Sequence, residues 1–310
     1  MANLKDIKTR ITSVQSTRKI TRAMKMVAAA KVKKAENTVK ASRPFTNELT
    51  VMLKRLLNCV NFYTSESLKI KAAIDDYPGL LKIREVKSVG LVIITSNKGL
   101  AGAYNANIVR KTIEKIKDYN SQGIHCMLFI VGQKGISTLN KRTAGLDCEI
   151  VHTYLQAAQE PTPENARTII EDIAEYFVSE KIDKIEIVTT RFKNMMTYRV
   201  ETWEVLPLKG IDDDYERLHD NILESMMLFE PDLHHILQKI IPLYITNIIY
   251  QALMEAQASE LASRMTAMSA ANNNADKMLK ELSVQYNKLR QFAITNEIIE
   301  VVSGANAQQN

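Results

Sequence analysis

The chain has few of the residues that interrupt helices. Glycine (10) and proline (7) together are 17 of 310 residues, well below average usage, which excludes a turn-rich β-protein and favours long uninterrupted helices. Aromatics are 6%, with a single tryptophan, a poor endowment for a β-sandwich. Cysteine is scarce too. Cys59, Cys126 and Cys148 are odd in number and widely spaced, forming neither a CxxC pair nor a zinc pattern; they read as inert thiols of a reducing compartment. No apolar run approaches the ~20 residues of a membrane span. The best, Ile236 to Ile249, is broken by Gln238, Lys239, Pro242 and Asn247. The opening MANLKDIKTR has no apolar core of a signal peptide, so the chain is expected to stay in the cytoplasm where it is made.

What is present is ordinary in amount and unusual in placement. Hydrophobic residues are 45% and charged residues 25%, enough for a core in about two domains. Residues 1–43 hold 12 Lys/Arg against Asp6 and Glu36, a local charge of +10 in a chain of net +6. So lopsided an arm predicts an acidic partner: nucleic acid, anionic lipid or acidic protein loops.

Those 43 residues contain no Gly or Pro. Leu4, Ile7, Ile11 and Val14 mark one helix face. After a shift the stripe is expected to resume at Ile20, Met24 and Val27, then Val32, Ala35 and Val39. This predicts a helix of at least 40 residues, ~60 Å long, running past Pro44 with a kink there. At the other end Leu243 to Ser303 are free of Gly and Pro. The seven-residue series Ile249, Ala256, Ser263, Ala270, flanked by Ile245, Ala252, Ser259, Thr266, Asn273, has coiled-coil spacing with small residues in place of leucine. Two such helices pair most economically with each other, antiparallel.

Between them, 88–95, 125–131, 148–153 and 184–190 read as buried strands alternating with helices over 104–119, 133–140 and 163–180. That pattern predicts an α/β domain with a largely parallel sheet. Residues 197–206 read as one more, edge strand. The organisation is thus an N-terminal coiled-coil helix (1–60), an α/β domain (75–207) and a C-terminal coiled-coil helical region (208–310).

Catalytic chemistry is not evident. Residues 95–105, TSNKGLAGAYN, follow a strand and open a helix, where phosphates bind. Yet Gly99 and Gly102 are followed by Leu and Ala, no GxxxxGK[ST] or GxGxxG is present, and a tight turn needing small residues is the better reading. His234 and His235 diverge by ~100° on a helix and share no metal. His125 and His152 fall in strands and read as packed. Asp212, Asp213 and Asp214 read as a solvated loop. No nucleophile and base stand together, and no cofactor or metal ligand set is assigned. The apolar group Ile298, Ile299, Val301 and Val302, near the end of a long helix, needs cover from the N-terminal helix or from a partner.

The stretch ITNEIIEVVSGANA, 294–307, resembles the C-terminal signature of the γ subunits of F-type ATP synthases, with Thr295, Glu297, Glu300, Gly304 and Ala305 in the required places. ITRAMKMVAAAK (20–31), TSNKGLAGAYN (95–105) and SELASRMTAM (259–268) are similar to other segments of that family, in the same order. The family usually has Asp-Arg where this chain has Asn97-Lys98, which puts any ionic contact there in question. The cysteine pair and insertion of its chloroplast members have no counterpart, and a bacterial origin is implied.

The resemblance implies a fold, a role and partners. The fold is a long antiparallel two-helix coiled coil with a central Rossmann-like α/β domain. The role is that of a central-stalk rotor, without a catalytic site of its own, turning between a membrane ring of c subunits and a hexamer of α and β subunits to couple proton flow to ATP synthesis. The implied partners are α, β, ε and the c-ring, at one copy per complex, peripheral on the cytoplasmic side of the plasma membrane. The implied contacts with the hexamer are Met24, Lys25, Arg264, Arg290, Gln291, Thr295 and Glu297, and Ile298, Ile299, Val301 and Val302 form a bearing tip. Two other classes compete on the residues alone. A basic coiled coil binding nucleic acid has the charge but no aromatic in the arm for base stacking. A nucleotide enzyme built on the α/β domain lacks the motifs.

Overall fold

The computed structural model describes residues 4–64, 84–207, 230 and 233–308. Helix α1 (Leu4–Thr64) is followed by β1 (Ser88–Ile94), α2 (Tyr104–Ser121), β2 (His125–Val131), α3 (Gln133–Arg142), β3 (Cys148–Tyr154), the short α4 (Gln156–Gln159), α5 (Pro163–Val178), β4 (Lys184–Asn194), β5 (Thr197–Leu206) and α6 (Leu233–Gln308). The two terminal helices are 61 and 76 residues long. Their assignment continues unbroken through Pro44 and Pro242, and α6 also runs through Gly304. Asp212 to Asp214, His219, the side chain of His234 and that of Cys59 lie outside the described residues.

The five strands form one sheet in the order β3-β2-β1-β4-β5. The pairs β1–β2, β1–β4 and β2–β3 are parallel, and β4–β5 is antiparallel. Strand β1, SVGLVII, is buried at every position after the first, the near-continuous apolar run expected of a parallel strand covered on both faces. On one face Val89, Leu91 and Ile93 pack with Tyr104, Ile108 and Ile116 of α2 and Leu139 of α3. On the other, Val92, Ile94, Ile185 and Ile187 pack with Ile169, Ile173 and Phe177 of α5. Helix α5 starts where its sequence says it should. Thr162 caps it by accepting from the Asn165 N–H at 3.2 Å, and Pro163 takes the first turn.

Helix α6 belongs to this second layer. Leu237, Ile241, Ile245, Ile249, Ala252 and Ala256 are buried against the sheet and α5. Of the heptad series read from the sequence, Ile245, Ile249, Ala252 and Ala256 pack into the cluster of the sheet, which also takes in Leu53 and Leu56 of α1, while Thr266, Ala270 and Asn273 are exposed. The small side chains let the helix backbone approach the strands: Thr189 Oγ1 of β4 donates to the Ala252 carbonyl at 3.3 Å.

The chain divides into two compact units, Met1–Ala30 with Arg264–Asn310, and Lys31–Ser263. In the larger unit the seam between the terminal helices is a different heptad. Val32, Ala35 and Val39 pack against Met254, Ala258, Leu261 and Ala262. Ser42 Oγ donates to Gln251 at 2.6 Å and Asn247 Nδ2 to Thr46 at 2.9 Å. Numbers rise on one helix as they fall on the other, so the pair is antiparallel.

In the smaller unit the inward positions are Leu4, Ile7, Ile11, Val14, Arg18, Thr21, Lys25 and Ala28, all buried or half-buried. This corrects the expected shift of the stripe. The 3-4 spacing never changes phase; polar residues occupy it instead, while Ile20 and Val27 are 60% and 57% exposed. Arg18 meets Asp276 at 2.8 Å, so a charge pair stands in the inward row.

Candidate functional site

In a doubly wound sheet of this order the ligand crevice lies at the carboxyl ends of the strands, where the order reverses, here between β1 and β4. Helix α6 fills that place. Besides the Thr189 contact, Ser263 Oγ donates to the Ala101 carbonyl at 2.6 Å and Glu255 accepts from the Phe192 N–H at 2.7 Å. Tyr104, at the head of α2, is buried edge-on to Tyr198, and burial raises its phenol pKa.

The loop after β1 is bound up in its own hydrogen bonds. Thr95 Oγ1 donates to the Val131 carbonyl at 2.8 Å and accepts from the Gly135 N–H at 2.9 Å. Asn105 Oδ1 accepts from Ser96 N–H at 3.0 Å. Asn97 uses both ends of its amide, accepting from Gln133 N–H and donating to the Leu155 carbonyl. A carboxylate in its place could not make the second bond. The turn is completed by Gly102 and by Leu100, a non-glycine residue at φ 65°, which is uncommon for a residue with a Cβ. Small size alone was not the requirement the sequence suggested.

The remaining chemistry is packing. His125 Nδ1 lies 2.6 Å from Asp147, and His152 stacks between Phe129 and Tyr154. Cys126 and Cys148 are free and lie opposite each other on β2 and β3. Burial pushes the Cys126 thiol up to about 12 and raises Cys148 as well, so both are protonated and inert at neutral pH. Among the described residues no group of three His, Cys, Asp or Glu could hold a metal ion, and no helix is long and apolar enough to cross a membrane.

The residues singled out for contacts all lie in the smaller unit. Met24, Lys25 and Arg264 are half-buried. Arg290, Gln291, Thr295 and Glu297 are exposed, and Thr295 Oγ1 merely donates back to the Gln291 carbonyl. The inward positions of α6 run Met268, Asn272, Ala275, Leu279, Leu282, Tyr286, Leu289, Ala293, and then stop; every described side chain from Ile294 to Gly304 is exposed. The Arg18–Asp276 pair explains the stop. Counting back along α1 and forward along α6 from it brings Leu4, the first described residue of α1, opposite Arg290. About 18 residues of α6 continue beyond, ~27 Å of helix. Ile298, Ile299, Val301 and Val302 stand in this overhang, 53–72% exposed, with no described residue of α1 to cover them.

Sequence reasoning missed Arg43 and Glu255, which form an ion pair at 2.7 Å between α1 and α6, with Glu255 fully buried and Arg43 half-buried. The signal was there: Glu255 interrupts the apolar stretch LMEAQA, a place where a charge persists only if paired.

In the larger unit α6 thus occupies the crevice end of the sheet, and in the smaller unit the end of α6 is bare. The ATP synthase family profile matches residues 3–308. The ATP synthase gamma chain of Gloeothece citriformis is 40% identical over 328 aligned residues, covering 99% of this chain and all of that one; that of Trichormus variabilis is also 40% identical, with 99% of each covered. Among solved structures, a chain of the Tetrahymena thermophila mitochondrial ATP synthase central stalk and c-ring matches with a TM-score of 0.57 and 28% identity, over 81% of this chain and 99% of that one. A chain of the Euglena gracilis mitochondrial ATP synthase shares the fold, with a TM-score of 0.63 at 17% identity over 98% and 94%. The chain belongs to the ATP synthase gamma-chain family.

Proposed function

We propose that this chain is the central-stalk rotor of an F-type ATP synthase, turning within the complex and carrying torque between the membrane ring and the catalytic hexamer. The single observation that carries the reading is the bare end of α6. An apolar helix end of this length, exposed on all sides, calls for a collar that surrounds it, and a ring of α and β subunits supplies one.

The finer assignments follow from that placement. The overhang, with Gln291, Thr295, Glu297 and the tip Ile298, Ile299, Val301 and Val302, stands inside the hexamer. Met24 and Lys25 on α1, with Arg264 and Arg290 on α6, lie along the stretch that passes the β subunits. The +10 arm meets acidic loops there, through contacts each worth at most ~1 kcal/mol when exposed, weak enough to be broken and remade at each step. The α/β domain faces ε and the c-ring. One copy serves each complex, which is held at the cytoplasmic face of the plasma membrane through the ring, and the chain carries no nucleotide site.

The test is ATP hydrolysis by α with β, by this chain alone, and by all three co-expressed. The reading requires a stable complex with one copy of this chain per hexamer and activity that depends on it. Hydrolysis by the chain alone, or indifference to α and β, would return attention to the α/β domain as an active site.

A further inference from the structure

Phe192, near the end of β4, is held from three sides by the two terminal helices. Its ring is buried in their seam, among Val32, Ala35, Val39, Met254, Ala258 and Leu261. Its main chain is gripped at both polar groups. The N–H donates to Glu255 Oε2 at 2.7 Å, and the carbonyl accepts from Arg43 Nη2 at 2.6 Å. The two gripping side chains are themselves joined, Arg43 Nε to Glu255 Oε1 at 2.7 Å and Nη2 to Oε2 at 2.9 Å. Glu255 is fully buried. Gln251 steadies it from one turn away at 3.1 Å, and is itself bonded to Ser42 of α1. The β4–β5 pairing is irregular between Phe192 and Asn194, at the site of the grip.

This arrangement does more than fasten helices together. A bidentate arginine–carboxylate pair is directional, and here each member also binds one peptide of the sheet. Sliding or rotating β4 against either helix would break at least two charge-assisted hydrogen bonds and withdraw an aromatic ring from the seam. Other bonds between the sheet domain and α6, such as Thr189 to Ala252 and Ser263 to Ala101, join neutral groups of one helix only.

We propose that Arg43 and Glu255 are a torque clamp: they lock the Phe192 peptide, and with it the α/β domain, to both terminal helices at a fixed angle, so that the domain and the helical pair turn as one body. The proposal rests on the rotor reading and adds to it the residues through which force passes from the domain to the helices. Arg43 and Glu255 are positioning residues and touch no nucleotide.

The test uses the complete ATP synthase carrying this chain, reconstituted in liposomes. Two quantities are read: protons pumped per ATP hydrolysed, and the angular fluctuation of a bead fixed to the α/β domain while the hexamer is anchored. Wild-type complex must first pump; failure there refutes the rotor reading itself, whatever the variants do. Given a coupled wild type, Glu255→Gln and Arg43→Lys are expected to lower the pumping ratio at least threefold and to widen the angular variance at least twofold, with hydrolysis changed less than twofold. Asn247→Ala removes a different bond of the helix pair, that to Thr46, without touching the clamp, and is expected to leave both quantities unchanged. If Glu255→Gln does not assemble, Arg43→Lys, which keeps a cation beside the buried carboxylate, decides. Unchanged ratio and variance in the assembled clamp variants would overturn the proposal. So would an Asn247→Ala effect as large as theirs, because the clamp would then be ordinary stability.

Discussion

Arg18 lies across the helical seam from Asp276, its Nη1 2.8 Å from the carboxylate Oδ1, and this one contact sets where α1 leaves off along α6. Both side chains are more than 40% exposed, so the pair adds little energy, ~0.5 kcal/mol or less. Its value is as a marker of register. The inward stripe of α6 ends at Ala293, close to the level of Leu4, the first described residue of α1.

Truncation after Ala293 should therefore cost the purified chain almost no stability, because the removed side chains described up to Gly304 are exposed. A change in thermal midpoint of no more than a degree or two is expected, since exposed residues lie within about 0.5 kcal/mol of neutrality. In the assembled complex the same truncation should weaken coupling without abolishing assembly, as the arm and the α/β domain remain. A large fall in the midpoint of the free chain would mean that the overhang is packed against something in this chain.

The two faces of α6 can be told apart by overpacking. Ala256 is 2% exposed and packs with the sheet cluster. Ala256→Leu should cost ~1–3 kcal/mol by forcing helix and strands apart. Ala270 shares its seven-residue series but is exposed, so Ala270→Leu should be neutral within about 0.5 kcal/mol. Denaturant midpoints of the two variants measure the difference; equal costs would reject the placement of Ala256 against the sheet.

That series shows what the sequence could and could not disclose. Period is a local property, and the spacings on both helices were readable, as were the five strands and the edge position of β5, though not its antiparallel direction. Which face a helix turns to which neighbour is not local. Ile249, Ala252 and Ala256 read as a coiled-coil seam until the sheet is placed against them. Arg18, Thr21 and Lys25 were invisible as inward positions because they are polar, and Ile20 and Val27 were apolar decoys. The Phe192 clamp joins residues 43, 192 and 255, and no spacing rule connects positions so far apart. The bare tip was legible as four apolar residues, but its lack of cover depends on the register fixed by Arg18 and Asp276.

Gly132 is a second kind of long-range dependence. It stands before α3 at φ 96°, and a Cβ there would collide with the Thr95 carbonyl oxygen. Gly123 has φ 73° but open space around it. Gly123→Ala should cost ~1–2 kcal/mol from backbone conformation alone. Gly132→Ala should cost more than ~3 kcal/mol, since β1 and α3 must also move apart. Thermal unfolding of both variants checks the order, and an equal loss would mean the β1–α3 junction yields freely.

The buried cluster around Glu186 should give the α/β domain a distinct acid limb. Glu186 is 1% exposed, with Lys184 at 2.6 Å and Lys115 at 3.2 Å. Burial opposes its charge, but the bonds from Lys184 and Tyr119 outweigh it and hold the carboxyl below its ordinary value of 4.5. A depressed folded pKa means stability that is complete above about 4.5 and lost as pH falls through the folded value. Lys184 has the opposite sign. Burial works against its ammonium, yet Glu186 and Glu204 hold it above the ordinary 10.5, so its contribution persists until pH rises well beyond that value. Glu186→Gln should thus destabilise the protein by about 2 kcal/mol near neutrality. The gap from wild type should hold from about pH 7 to about 5 and shrink as pH falls below about 4.5, because the wild type alone loses the charged interaction. Urea midpoints of the two proteins across that range decide the matter. A gap independent of pH would show that the carboxylate contributes through shape and neutral hydrogen bonding, and that Lys184 finds all the compensation it needs in Glu204 at 2.9 Å.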